Sequence, residues 1–496
     1  MTSPSEKKVD SKVVSTTGVE TISPNNSQTS VVAPGNEPTK NPAVPPPPEF
    51  PEGGLAGWST VIGAFLIQFC GFGVLWSIPR WPMNNFCLNY ASNAYLPAYY
   101  TTTFITNEST STVAWIGGVN ASFAIFTGLI SGRLFDKGYF YHMVLGGAIV
   151  DIICLWLLTL AKPDNFYQNF LAQGVGCGIA SGMFYLPSIA VVSHYFRRRR
   201  ALAMTIVASG SSMGSVLQPI MLNNLLNSHG WKTATVANAA LITGVLVVAC
   251  SLMRTRLPPP TTLMPFTTAI KKFSRDGAYV VGCLGLIIFS IGYYYPLFFI
   301  QLDAELHGVS KNVTFYVLVI LNVFSFVGRL SPGFLANKIG VPYLITMGMF
   351  GCSVVMFGLI GAKSVGSFIV IAILYGYSAG TFISLANPFL AGFATDQVEV
   401  GARMGIGFTL SGIGALVGAV ISHPDNTPAA EILFSVTVGG AIEGALLGPS
   451  FVWWKPAVFS GIFCLAGVAL MIVMLIMLRL RDRKKVRATA AEHEKA

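Results

Sequence analysis

An arginine stands inside an apolar stretch at position 329, in the run 322–340, NVFSFVGRLSPGFLANKIG. A guanidinium exposed to lipid costs several kcal/mol, so such a residue is expected to face a bundle interior or a watery cavity and marks a candidate site. Asn337 and Lys338 show where the helix should reach water, which puts Arg329 about 12 Å inside by helical rise. Its donors form a planar fork that suits a carboxylate or another oxyanion. The alternative is a structural arginine that snorkels to the interface, across about two helical turns.

Asp151 is a second isolated charge, midway along the apolar run GAIVDIIC. It is a candidate proton-coupling group, with a neutral acid bonded to a neighbouring helix as the plainer reading. Tyr293, Tyr294 and Tyr295 precede Pro296, which should break its helix, and Tyr293 is the one assigned to a solute cavity rather than the interfacial belt. Gln68, Trp76 and Asn120 add groups that either touch solute or bind helix to helix. Catalysis finds little support: there is no Walker loop, no HExxH and no nucleophile elbow facing a pocket, and the histidines are scattered over loops and tail. The chain is expected to be no enzyme, to need no cofactor or metal, and to run on a gradient rather than on ATP.

Such residues must be positioned by helices that cross a bilayer. The chain has 496 residues, 53% hydrophobic and 10% charged, which is too apolar for a soluble globular protein. Apolar runs of about 20 residues specify helices rather than barrel strands. They fall near 55–79, 112–134, 141–161, 166–192, 201–224, 233–253, 278–301, 313–336, 340–361, 366–391, 404–422 and 455–479. The expected fold is all-α and polytopic, with twelve transmembrane helices in two six-helix bundles, 55–254 and 278–480. A linker at 255–277 joins them, with a disordered tail at 1–54 and a second tail at 481–496.

Basic residues follow the even-numbered helices, among them Arg133 and Lys137, Arg197 to Arg200, Lys338 and Arg403, so both termini are expected in the cytoplasm, at a plasma membrane. This distribution accounts for the net charge of +10 without nucleic acid. Arg197 to Arg200 reads as a topology anchor before it reads as a lipid head-group site. Sequons at Asn107 and Asn312 lie on the outer side, where glycosylation is expected. The partners expected are a small solute, protons and the lipid bilayer, with any accessory membrane protein unspecified.

The halves echo each other. Gly132, Asp136 and Lys137 close the second helix as Gly333, Asn337 and Lys338 close the eighth. The glycines allow close helix contact, and an Asp or Asn there can cap a neighbouring helix, which makes these six residues a gate motif.

This spacing resembles the helix two to three signature of the major facilitator superfamily. Three further stretches are similar to its monocarboxylate-transporter-like branch, in particular the fungal members: Pro51 to Trp58, Tyr195 to Ala203 leading to Ala208-Ser209-Gly210, and Gly328 to Gly333. The resemblance covers roughly residues 50–482 and implies facilitated or proton-coupled movement of small organic acids, symport included, by alternating access. It also implies a lysine late in helix one and an acid one turn before the helix-eight arginine, where this chain has Trp76 and Ser325. Lactate-type proton coupling is thereby in doubt, and a bulkier substrate fits the loss. The segment 422–440 has no counterpart in similar fungal chains and is either an external loop or a gene-model artefact.

The reading is a carrier for a small organic, anionic, monocarboxylate-like solute. Efflux of a secondary metabolite, or uptake of a vitamin-sized heteroaromatic, is the alternative, and a nutrient sensor that moves nothing is a second.

Overall fold

Long apolar runs bury their backbone polar groups by closing hydrogen bonds within one segment, and the described residues are accordingly helical throughout their membrane-length stretches. The structure is a computed structural model that describes residues 52–77, 110–257, 265–395, 399–420 and 453–493. The first half begins with α1 (Gly54–Ser77), α2 (Thr110–Asp136) and α3 (Phe140–Thr159). Next comes α4 (Phe166–His194), which widens into a π-helical stretch at Phe170–Gly176. A single helical run, Arg200–Leu252, is broken at Gly230, whose φ of 77° is left-handed backbone that a Cβ disfavours. The part before the break is α5 and the part after it α6.

The second half holds α7 (Gly277–Tyr293, resuming at Tyr295–Leu306), α8 (Lys311–Ile339), α9 (Val341–Leu359), α10 (Val365–Gly392), α11 (Val400–Val420) and α12 (Trp454–His493). The interruption of α7 at Tyr294 follows from Pro296, which has no N–H to give the preceding turn. Nine stretches among the described residues are long and apolar enough to cross a membrane, and α2, α5 and α11 are further helices among them.

Apolar side chains that no helix covers lie where lipid would. Leu145, Ile149, Ile153 and Leu157 form one such stripe on α3, Met347, Phe350 and Val354 one on α9, and Ile462, Ile472 and Ile476 one on α12. Inside, small residues let helices touch backbone to backbone. At Gly376 and Gly380 a Cβ would strike the carbonyls of Leu321 and Ser325, so α10 lies directly on α8. That contact fixes the helix that carries Arg329.

Three features lie at the expected boundaries. Glu52, within the expected tail, has a carboxylate that accepts backbone N–H bonds from Arg197, Arg198 and Arg199 at 3.3, 2.6 and 3.1 Å. The linker contains a short helix, Phe266–Ser274. Helix α12 continues through the expected tail to His493. Asn107 and the segment 422–440 lie outside the described residues.

Candidate functional site

Helix α8 meets α5 along a stripe spaced by four residues, so Ser325, Arg329 and Gly333 share one face. Gly333 sits against Leu202 and Thr205, where any Cβ would collide with the Thr205 hydroxyl. One turn away, Arg329 is 5% exposed, and its Nη1 donates to the Ala208 carbonyl at 2.7 Å and to the Ser211 hydroxyl. A further turn along, the Ser212 hydroxyl donates to Ser325 Oγ at 3.2 Å. The cation is therefore held between the two halves, on a helix carbonyl and a serine, with its Nε buried and unpartnered. Among the described residues no carboxylate pairs with it.

Tyr185 of α4 and Tyr293 of α7 lie within electrostatic reach of the guanidinium. Asn387 of α10 donates from Nδ2 to the Tyr185 hydroxyl at 3.3 Å, a further hydrogen bond between the halves, and Phe408 of α11 packs on the Tyr185 ring at 5.1 Å. Gln68 of α1 donates from Nε2 to the Tyr185 carbonyl at 3.3 Å and to Ser188 Oγ at 2.9 Å. Tyr293 is packed among Phe289, Phe382 and Tyr375, with centroids 5.6, 5.1 and 6.2 Å away, and its carbonyl accepts the Tyr375 hydroxyl.

Several expected site residues stand elsewhere. Asp151 is buried within the first half against the thiol of Cys177, and it shares no contact with Arg329, whose partners are on α5. It lies in the packing of α3 on α4, as in the plainer reading of an acid bonded to a neighbouring helix. Asn120 gives its Nδ2 to the Gln173 carbonyl at 2.5 Å, in the π-helical stretch of α4, and Gln68 is likewise spent on a helix carbonyl. Trp76 is in the last turn of α1 and Asn312 in the first of α8, and both side chains lie outside the described residues.

The basic end of the molecule joins the halves a second time. Gly132 of α2 abuts Gly401, where a Cβ would sit 2.7 Å from the Gly401 carbonyl. The Asp136 carboxylate accepts the N–H groups of Gly401 at 3.0 Å and Ala402 at 2.7 Å, which are orphan donors of the first turn of α11. Asn337 occupies the equivalent place in the repeat, yet it is exposed, with no hydrogen-bond partner among the described residues. The difference has a physical reason: the N–H groups leading into α5 are already taken by Glu52. Lys137 and Lys338 are exposed. Arg200 of α5 donates to the Ala391 carbonyl of α10 at 3.1 Å, a further bond between the halves.

Beside this closure lies an ionic cluster that motif reading missed. Arg403 is 2% exposed, sits over the Phe273 and Tyr279 rings at 4.4 and 5.1 Å, and pairs with Asp276 at 3.3 Å and Glu399 at 3.5 Å. Lys272 of the linker helix bonds Glu399. Burial pushes the Glu399 carboxyl up, but the hydrogen bond and charge of Lys272 outweigh it and hold the group below the ordinary glutamate range. The spacing of Glu399 and Arg403, four apart, was the available signal. Among the described residues no group of His, Cys, Asp or Glu could hold a metal ion.

A sequence profile of the Major Facilitator Superfamily matches residues 83–419. The aspyridones efflux protein of Emericella nidulans is 32% identical over 77% of this chain and 74% of its own length. The fujikurins efflux protein of Gibberella fujikuroi is 32% identical over 85% of this chain and 83% of its own. Among solved structures, the human organic anion transporter MFSD10 superposes with a TM-score of 0.60 at 14% identity, covering 84% of this chain and 98% of that one, which is a likeness of fold.

Proposed function

The chain belongs to the Major Facilitator Superfamily, and on that premise we propose that it is a secondary carrier that exports a small organic metabolite by alternating access. The observation that carries export over uptake is the similarity, along most of the chain, to fungal proteins named for efflux of aspyridones and fujikurins. The monocarboxylate expectation gives way to this reading. It already lacked the lysine and the acid, replaced here by Trp76 and Ser325, and Ser325 is spent on a hydroxyl contact with Ser212.

In this reading Arg329 is the polar anchor for an anionic or electron-rich solute. The contacts of Asp136 with α11 and of Arg200 with α10 close the carrier at its basic end, which is the cytoplasmic one by the positive-inside effect. The membrane is the plasma membrane. The test is deletion of the gene followed by untargeted mass spectrometry of cells and medium. Export predicts that at least one metabolite rises in the cells and falls in the medium, and that the intact gene restores both. Identical metabolite distributions in deleted and intact strains would refute it.

A further inference from the structure

The last helix is longer than a bilayer is thick, and its surplus is charged. Helix α12 has 40 residues, so it runs about 60 Å, against about 30 Å for the hydrocarbon of a bilayer. Its apolar sequence stops at Leu478 and Leu480, where Arg479, Arg481, Arg483, Lys484, Lys485 and Arg487 begin, with Asp482 the acid among them. Two of these cations are held by the protein. Arg479 Nε donates to the Tyr343 hydroxyl of α9 at 2.9 Å, and Arg481 reaches the Asp276 carboxylate at 3.8 Å. Those contacts fix how the surplus helix is turned.

Arg483, Lys484 and Arg487 are exposed and have no ion pair among the described residues. At 3.6 residues per turn, Arg483 and Arg487 fall about 20° to either side of Ile476, and Lys484 about 80° from it. Ile476 belongs to the exposed apolar stripe of α12, with Ile462 and Ile472 before it and Leu480 after it. The face that meets lipid tails therefore continues, turn by turn, as a face of cations. Asp482 lies about 120° off that line. Counted from Leu480, Arg483 and Lys484 stand about 5–6 Å farther along the axis and Arg487 about 10 Å. The head-group layer of one leaflet is about 5–8 Å thick, so the first two stand at its depth and the third at its outer edge. Membrane topology asks for a number of positive charges after a span, not for charges on one face.

Resting on the cytoplasmic assignment of the basic end, we propose that Arg483, Lys484 and Arg487 form a binding face for the head group of an anionic phospholipid in that leaflet. The acyl chains lie along Ile476 and Leu480. The phosphate meets the planar forks of Arg483 and Arg487, four residues apart, and Lys484 adds a point charge beside them. Charge complementarity selects an anionic head group over a neutral one, and the apolar stripe leading into the cations selects a lipid over a free ion.

The test is native mass spectrometry of the full chain in detergent, titrated with phosphatidylserine, phosphatidylinositol or phosphatidylcholine. The two anionic lipids should be held about tenfold or more tighter than phosphatidylcholine. Removing one cation near an anionic surface weakens association about fivefold, so Arg483→Gln with Arg487→Gln should lower affinity for the anionic lipids about 25-fold and leave phosphatidylcholine unchanged. The same loss of charge on the linker helix, Lys271→Gln with Arg275→Gln, should change it by less than about threefold. All four side chains are exposed, so neither double variant disturbs packing. Equal retention of neutral and anionic lipids would overturn the inference. So would equal losses in the two double variants, which assign the effect to net charge, or displacement of the lipid by an equal concentration of inorganic phosphate. Metabolite retention on deletion is independent of lipid binding in detergent, so export can stand while this inference falls.

Discussion

Replacing Asp136 by Asn should loosen the basic end of the molecule. The carboxylate accepts two backbone N–H bonds from the first turn of α11, at 3.0 and 2.7 Å, and it reaches them from the opposite half. Each such bond contributes about 0.5–1.5 kcal/mol, and a buried donor left unsatisfied costs about 1–3 kcal/mol. Asn keeps one acceptor oxygen but turns an amide N–H toward the other donor. The contact then weakens by about 2–4 kcal/mol, a shift of about 30- to 1,000-fold in favour of the state in which the halves separate there. Hydrogen exchange of the full chain in detergent, read on peptides spanning residues 399–406, measures this directly. The amides of Gly401 and Ala402 should exchange faster by up to that factor while those of α9 keep their rates. Unchanged exchange at 401–402 would refute the reasoning, as would equal acceleration across the whole chain, which signals unfolding instead of separation.

Other outcomes follow from the same packing. Gly132→Val puts a branched side chain against the Gly401 carbonyl, so the substituted protein should reach the membrane at normal abundance, by immunoblot, yet lose most export. Arg403→Ala leaves the Asp276 and Glu399 carboxylates facing each other around an emptied aromatic seat, and a buried pair broken on one side costs about 3–5 kcal/mol, visible as a lower Tm by scanning fluorimetry. The depressed Glu399 carboxyl contributes stability that is present above its ordinary value of 4.5 and is lost as pH falls through its lowered folded value. A Tm series below pH 4.5 should therefore decline less steeply in Glu399→Gln than in the wild type.

The helices were readable because lipid imposes one requirement, a long apolar run with internal hydrogen bonding, and nine of the runs reappear among the described residues as helices long and apolar enough to cross a membrane. The break before Pro296 was readable for a local reason, the missing N–H. Arg329 drew attention because a cation in hydrocarbon needs company. Its company was not readable: Ala208, Ser211 and Tyr185 are ordinary membrane-helix residues until two halves meet. Asn387 was hidden for the same reason, lying in an apolar run with nothing nearby in sequence to mark it.

The repeat was more misleading. Asp136 and Asn337 hold matching positions, yet only Asp136 reaches a helix end, since Glu52 has taken the donors ahead of α5. Equivalence in sequence gave no view of that competitor. Arg403 counted only as one more basic residue between spans, although its neighbours Phe273, Asp276 and Tyr279 all come from beyond its own helix.

The account depends on Arg329 meeting solute, and one comparison tests this most directly: export of the metabolite that accumulates on deletion, by cells carrying wild type or Arg329→Lys at equal membrane abundance. Lysine keeps the charge but loses the planar fork and the contact to α5, so export should fall about tenfold or more. Equal export by the two proteins would contradict a solute site at this guanidinium.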